Sequence, residues 1–245
     1  MNKPSHCLEV WGDFACFSRP EMKVERYSYP IITPSAARGI FDAIYFKKDY
    51  NFYWQIERIE LLHSPKYIAL RRNEVKDKAS TAEIQKWING SKAITPLWAD
   101  GTKAELGSDQ KGRTQRQTMA LKNVRYRIHA HIACRDDRAN PNALNAQFQR
   151  RAALGKCFYQ PFFGCREFPA YFELVKSTPQ QPPVDLDLDL GWMLYDVFDL
   201  EQSNDNQAKP AISVFHAQLK SGVLAVPRYL SDAVHKPVAG NHDVE

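Results

Sequence analysis

Three features of the sequence predict an α+β fold. Residues 124–134 alternate without a break, with Val124, Tyr126, Ile128, Ala130, Ile132 and Cys134 on one face and Arg125, Arg127, His129 and His131 on the other. That is the period of a strand with one face in the core. Two segments carry apolar residues at helical spacing behind Thr33-Pro34 and Asn140-Pro141, where a capping side chain precedes a proline at the first helical position. Strand-like runs flank both segments. With 245 residues, 44% hydrophobic and 25% charged, the chain is ordinary globular material able to bury a core.

The elements follow in order. Residues 8–14 alternate Leu8, Val10, Gly12 and Phe14 against Glu9, Trp11 and Asp13, a half-buried strand. The helix after Pro34 places Ala36, Ile40, Ala43, Ile44 and Lys47 on one face and Arg38, Phe41, Asp42 and Tyr45 on the adjoining one. Strands are expected at 54–63 and 66–71, then a short helix that opens on the capping-box pattern Ser80-Thr81-Ala82-Glu83 and stops at Gly90. Residues 91–118 read as a long polar loop. The apolar phase at Met119 and Leu121 is odd and from Val124 even, so a bulge is expected at Lys122-Asn123 that aims those side chains differently from their neighbours. The second capped helix turns Leu144, Phe148 and Ala152 inward and ends at Gly155. A strand at 168–175 completes the order βαββαβ once 66–118 is set aside as an insertion.

That order is the ferredoxin-like split βαβ of RNA-recognition domains. It is assigned to residues 1–176. The link 177–184 holds three prolines and leads to a small C-terminal antiparallel β domain at 185–236, with short strands at 192–198, 211–219 and 223–226. Residues 237–245 are expected to be a disordered tail.

The charge is uneven. The net value is +5, yet residues 1–176 hold 29 basic and 18 acidic residues, net +11, whereas 177–245 hold 4 and 10, net −6. A basic partner-binding surface belongs to the first part. From Gln110 to Arg135 the chain carries Lys111, Arg113, Arg116, Lys122, Arg125, Arg127 and Arg135 without one acid, a pattern that suits a phosphate backbone because each cation that neutralises a phosphate also releases counterions.

Several function classes are excluded. His129 and His131 share a strand face, but no third ligand sits at a recognisable spacing, so no metal is expected. No GxSxG, Walker A or GxGxxG motif occurs, which removes support for hydrolase triads and nucleotide-dependent chemistry. No cofactor is expected. No apolar run approaches the roughly 18 to 20 residues of a membrane span, the N-terminus lacks the pattern of a signal peptide, and the five cysteines form no CxxC pair. A reduced, cytoplasmic protein without membrane partners is the expectation.

Five stretches carry a resemblance: Leu8-Glu9-Val10-Trp11-Gly12-Asp13-Phe14-Ala15-Cys16-Phe17 with Arg19-Pro20-Glu21; Tyr29 to Ile40, through Thr33-Pro34-Ser35-Ala36-Ala37-Arg38; Arg116-Gln117-Thr118; Gln160 to Ala170, through Phe163-Gly164-Cys165-Arg166-Glu167; and Gly222-Val223-Leu224-Ala225-Val226-Pro227. In this order and spacing they resemble the CRISPR-associated Cas-five family, in its subtype I-C (Dvulg, subtype d) branch. The resemblance implies an endoribonuclease that cuts CRISPR precursor RNA within the repeat hairpin and stays in the type I-C interference complex. Its partners would be the repeat RNA or mature guide and the other subunits of the complex, with nonspecific DNA binding as a further expectation. In that branch a tyrosine on the first helix and a Lys-His pair entering a strand carry cleavage. Tyr45 and Lys122 match, and position 123 is asparagine.

Metal-independent RNA cleavage needs a base for the 2′-hydroxyl proton, an acid for the leaving 5′-oxygen and positive charge beside the phosphorane. The products are a 2′,3′-cyclic phosphate and a 5′-hydroxyl. Tyr45 is the candidate base, or an orienting hydroxyl if its pKa is not lowered, because a phenol of pKa about 10 is ionised to only about a thousandth at pH 7 unless a cation stands near. Lys122 is the candidate electrostatic stabiliser and Asn123 a hydrogen-bond donor to phosphate. Arg19, Arg38, Lys111, Arg113, Arg116, Arg125, Arg127 and Arg166 are the candidate RNA-binding residues. The competing reading is a non-catalytic subunit that caps the 5′ end of the guide RNA.

Overall fold

The computed structural model describes residues 4–22, 24–47, 51–98, 103–108, 111–136, 140–176, 181–202 and 210–237. Among the described residues, ten strands and four helices follow one another as β1 (His6–Ala15), β2 (Arg26–Tyr27), α1 (Pro34–Ile44), β3 (Phe52–Leu61), β4 (Tyr67–Val75), α2 (Thr81–Ile88), α3 (Lys103–Leu106), β5 (Arg113–Cys134), α4 (Pro141–Ala153), β6 (Tyr171–Leu174), β7 (Leu188–Asp196), β8 (Ser213–Lys220), β9 (Val223–Ala225) and β10 (Val234–His235). The result is an α/β protein dominated by one large antiparallel sheet.

The chain divides into two compact units, residues 1–68 with 119–245, and residues 69–118. In the first, strands run in the order β10-β8-β9-β3-β5-β1-β6, with β7 on β8 and β2 on β5. The strands after residue 185 join this sheet because β9 pairs with β3, Leu224 opposite Ile59. The tail expected at 237–245 lies, apart from Pro237, outside the described residues.

Both capped helices form where their signals stand. Thr33 accepts from the Ala36 N–H ahead of Pro34, and Asn140 accepts from Asn142 and Ala143 N–H ahead of Pro141; each removes an orphan donor of a first turn. Ile40, Phe41 and Ile44 of α1 and Leu144 and Phe148 of α4 are buried. Phe148 meets Trp54 of β3 at 4.5 Å and Phe41 of α1 at 5.5 Å between ring centroids. Truncating such a ring typically costs about 3–5 kcal/mol. His6 of β1 enters the same cluster and meets Asn145 Oδ1 at 2.6 Å.

β5 is longer than the alternation at 124–134 implies, because it begins at Arg113 and takes in the end of the segment expected to be loop. Residues 113–117 alternate between exposed and half-buried positions, as does β4, which pairs with β5. In 113–118, Arg-Thr-Gln-Arg-Gln-Thr, both faces are polar, which gives no hydrophobic period to read. No bulge shifts the β1 pairing at Lys122-Asn123, since Phe14 opposite Lys122 and Gly12 opposite Val124 keep one register. The break is a change of backbone conformation instead: Asn123 adopts φ 53°, a left-handed value that asparagine tolerates better than most residues.

The turn after α4 depends on one glycine. Gly164 has φ 78°, and a Cβ there would stand 2.1 Å from the Cys16 carbonyl oxygen, while the Phe163 carbonyl accepts from Cys16 N–H at 3.1 Å. Only glycine allows the two backbones to approach so closely.

Candidate active site

Tyr45 sits where α1 ends. Its backbone leaves the helix as extended chain, φ −150° and ψ 110°, with its N–H bonded to the Phe41 carbonyl. Three separate elements satisfy the carbonyls left over at this terminus. Phe158 N–H donates to Ala43 O at 2.7 Å, Arg151 Nε to Ile44 O at 2.7 Å, and Trp54 Nε1 to Tyr45 O at 3.0 Å. The Tyr45 ring stacks on Phe52 at 6.0 Å. With only 6% of its surface exposed, Tyr45 faces a cavity of about 430 Å³ that it lines with Lys47, Asn140, Ala143, Leu144, Gln147 and Phe158. The first turn of α4 thus forms one wall, and its N–H dipoles add positive potential to that of Lys47.

Asp42 and Arg38 lie one and two turns before Tyr45. Arg38 donates to both oxygens of Asp196, from Nε at 2.7 Å and Nη2 at 3.0 Å, and also bonds Asp42. Burial opposes the guanidinium charge, but Asp196 and Asp42 outweigh it and hold Arg38 more firmly protonated than an ordinary arginine. Burial pushes the Asp42 carboxyl up to about 6 against the pull of Arg38. Asp196 has the better geometry, so Asp42 is the carboxylate left with the weaker share. Arg38 is therefore not a cation offered to RNA, as the sequence suggested, but the internal anchor between α1 and β7.

Lys122 and Asn123 stand elsewhere. Phe52, on which Tyr45 stacks, is opposite Cys134, and Lys122 is twelve positions earlier on the same strand. At about 3.3 Å per residue this is a separation on the order of 30 Å or more. The structure does not bring Tyr45 and Lys122 into one constellation. Tyr45 caps the end of α1, whereas Lys122 lies within β5 beside its left-handed residue. At the Asn123 bend, Lys122 N–H donates to Lys66 O at 2.9 Å, and His63 Nδ1 donates to Asn123 O at 3.0 Å.

The face of β5 expected to be basic is neutralised by its neighbours. Arg127 is 2% exposed, bonding Glu9 at 3.2 Å, Glu60 at 2.8 Å and the Gln181 carbonyl. It is an interior ion-pair centre and cannot contact a phosphate. Arg125 donates to Glu9 at 2.7 Å and lies over the Trp11 ring, with about a third of its side chain in solvent. His129 meets Glu60 and His131 meets Glu57, both at 2.9 Å. Burial and Arg58 keep His129 below the usual imidazole value despite Glu60.

The other candidate cations remain at the surface. Lys111 and Arg113 are exposed, and Arg116 pairs with Glu74 at 2.9 Å. Arg19 covers the Tyr29 ring at 4.5 Å and lies 3.8 Å from Glu21. Arg166 is exposed, while its neighbour Glu167 is held by Arg26 at 3.0 Å. Lys47 and Phe158 of the cavity, and Arg151 over the Phe158 ring, were not singled out as functional by the sequence. A signal was available for two of them: residues 140–166 contain Arg150, Arg151, Lys156 and Arg166 but no acid, with Phe158-Tyr159 among them.

The fold and site together define an α/β protein built on a large antiparallel sheet, with a tyrosine and a lysine lining one cavity. The family model of the CRISPR-associated Cas5 proteins, in its Cas5d form, matches residues 7–227, and the chain belongs to that family. A protein of Mannheimia succiniciproducens named CRISPR pre-crRNA endoribonuclease Cas5d is 38% identical over 94% of this chain and 97% of its own length. A protein of the same name from Thermus thermophilus is 35% identical over 90% of each chain. In fold, the chain is similar to a functionally uncharacterized protein from Streptococcus mutans, with a TM-score of 0.60 at 17% identity over 95% of this chain and 97% of the other.

Proposed function

We propose that this chain cleaves CRISPR precursor RNA within the repeat hairpin, without a metal ion, and then stays with the guide RNA and other subunits in a cytoplasmic type I-C interference complex. Two relatives of nearly full length carry the name of that activity. The observation that carries the chemistry is the position of Tyr45 on a cavity beside Lys47. As phenolate, Tyr45 takes the 2′-hydroxyl proton, the 2′-oxygen attacks phosphorus, and the bond to the 5′-oxygen breaks as that oxygen takes a proton from water, leaving a 2′,3′-cyclic phosphate and a 5′-hydroxyl. Lys47 and the first turn of α4 supply positive charge where the phosphorane develops. Lys122 and Asn123 belong with Arg19, Lys111, Arg113, Arg116, Arg125 and Arg166 as groups that hold RNA through its shape and phosphates, and the same cations would hold DNA without sequence preference.

The strand order β6-β1-β5-β3 with α1 and α4 supports assigning these elements to a ferredoxin-like split βαβ unit. The strands of 185–236 are then a small β appendage on its β3 edge. The test of function uses a labelled repeat hairpin in EDTA, with and without a 2′-deoxy substitution at the scissile nucleotide. Cleavage of the native RNA alone is expected; cleavage abolished by EDTA, or equal cleavage of both RNAs, overturns the mechanism. Among the described residues lining the cavity there is no imidazole or carboxylate. That observation favours the second reading, a guide-capping subunit without catalysis, and uncut native RNA would establish it.

A further inference from the structure

The geometry points to a stacking site for one unpaired nucleotide on the ring of Phe158, beside the scissile phosphate; this rests on reading the Tyr45 cavity as the place of RNA cleavage.

Phe158 is 59% exposed. Single exposed aromatics are ordinary on protein surfaces, but this one is anchored. Its N–H is tied to Ala43 O at 2.7 Å. One face of its ring is covered by the Arg151 guanidinium at 4.0 Å, and Arg151 is itself held by the Ile44 carbonyl at 2.7 Å. A wet ring with a fixed backbone and one face occupied by a fixed cation is a preformed half of a stack.

The ring also lines the cavity with Tyr45 and Lys47. Tyr159 follows at 52% exposure, close enough to Asp42, Arg38 and Arg166 to feel their charges. The cations recorded at the ring and its cavity are Arg151 and Lys47, and the run from 140 to 166 contains four cations and no acid, so the occupant is polyanionic rather than an apolar protein segment. Bases stack on aromatic rings and arginine planes whatever their identity, because every base has a π face. A paired base keeps its faces within the helix and cannot take this seat. Phe158 therefore selects for an unpaired nucleotide and not for a particular base.

The experiment uses the full chain and repeat RNA made uncleavable by a 2′-deoxy substitution at the scissile nucleotide. 2-Aminopurine replaces each nucleotide flanking the scissile phosphate in turn. Quenching is expected at one unpaired flanking position. Phe158→Ala should abolish it and weaken binding about tenfold, the size of one lost base stack. Phe158→Trp should restore both, and Phe158→Leu, which keeps apolar bulk without the ring, should restore neither. A blunt duplex without unpaired nucleotides should bind Phe158→Ala as well as it binds wild type. Quenching that survives Phe158→Ala, or a Leu variant equal to Trp, overturns the stacking site. If native RNA is cut while quenching ignores position 158, the cleavage reading stands and the stacking site falls. If native RNA stays intact while quenching depends on Phe158, the opposite holds.

Discussion

Asp196 of β7 grips Arg38 of α1 through two hydrogen bonds across a sequence separation of 158 residues. The same carboxylate accepts from Val197 and Phe198 N–H at 2.8 and 3.0 Å. The acidic C-terminal segment therefore holds in place the helix that carries Tyr45. Asp196→Ala leaves a buried guanidinium and two backbone donors without their acceptor and should cost about 3–5 kcal/mol, read from urea unfolding. A loss under about 0.5 kcal/mol, the level of an ordinary surface change, would mean that the pair is not structural.

Arg127 and Arg113 should respond oppositely. Arg113→Ala is expected to lower the slope of log K for RNA against log salt by about 1 and to leave unfolding unchanged. Arg127→Ala strands Glu9 and Glu60 and should unfold the protein at lower urea by about 3–5 kcal/mol. Anisotropy titrations at several salt concentrations, paired with melts, decide this. The assignment fails if Arg127 rather than Arg113 governs the salt slope.

Tyr45→Phe should lower the single-turnover rate about 100- to 10,000-fold at unchanged RNA affinity. Lys122→Ala should weaken binding and spare the rate at saturating enzyme. Equal loss of rate in the two variants would contradict the separation between them.

Two histidines make stability depend on pH. Burial lowers His6 against Asn145, and burial with Arg58 lowers His129 against Glu60, both from 6.5. Just below pH 6.5 these two imidazoles bind more protons in the unfolded chain than in the folded one, so their contribution to stability is lost as pH falls below about 6.5, while the Asp42 carboxyl, held up to about 6, contributes in the opposite sense. His129→Gln should flatten the dependence of the urea midpoint on pH between about 5 and 6.5. An unchanged slope would show that His129 titrates alike in both states.

The sequence was most legible where one element declares itself. Thr33-Pro34 and Asn140-Pro141 start their helices as expected, and the phase shift at Lys122-Asn123 marks a real left-handed residue. What it could not show was what lies opposite. Alternation placed Arg127 on the outer face, but Glu9 and Glu60, 118 and 67 residues away, cover it. Arg38 was hidden in the same way by Asp196. Periodicity cannot reveal Phe158, because it lies in an irregular turn whose path is set by the carbonyls of α1.

Those carbonyls also set an order of assembly. Ala43 and Ile44 wait for donors at residues 158 and 151, more than a hundred residues downstream. At about 5–20 residues per second on the ribosome, on the order of ten seconds pass between synthesis of Tyr45 and synthesis of the groups that fix it. A nascent chain already long enough to make β1, α1 and β3 still has a frayed helix end in place of the cavity. The cavity acquires its α4 wall only when the second capped helix has emerged, so it is completed late in translation.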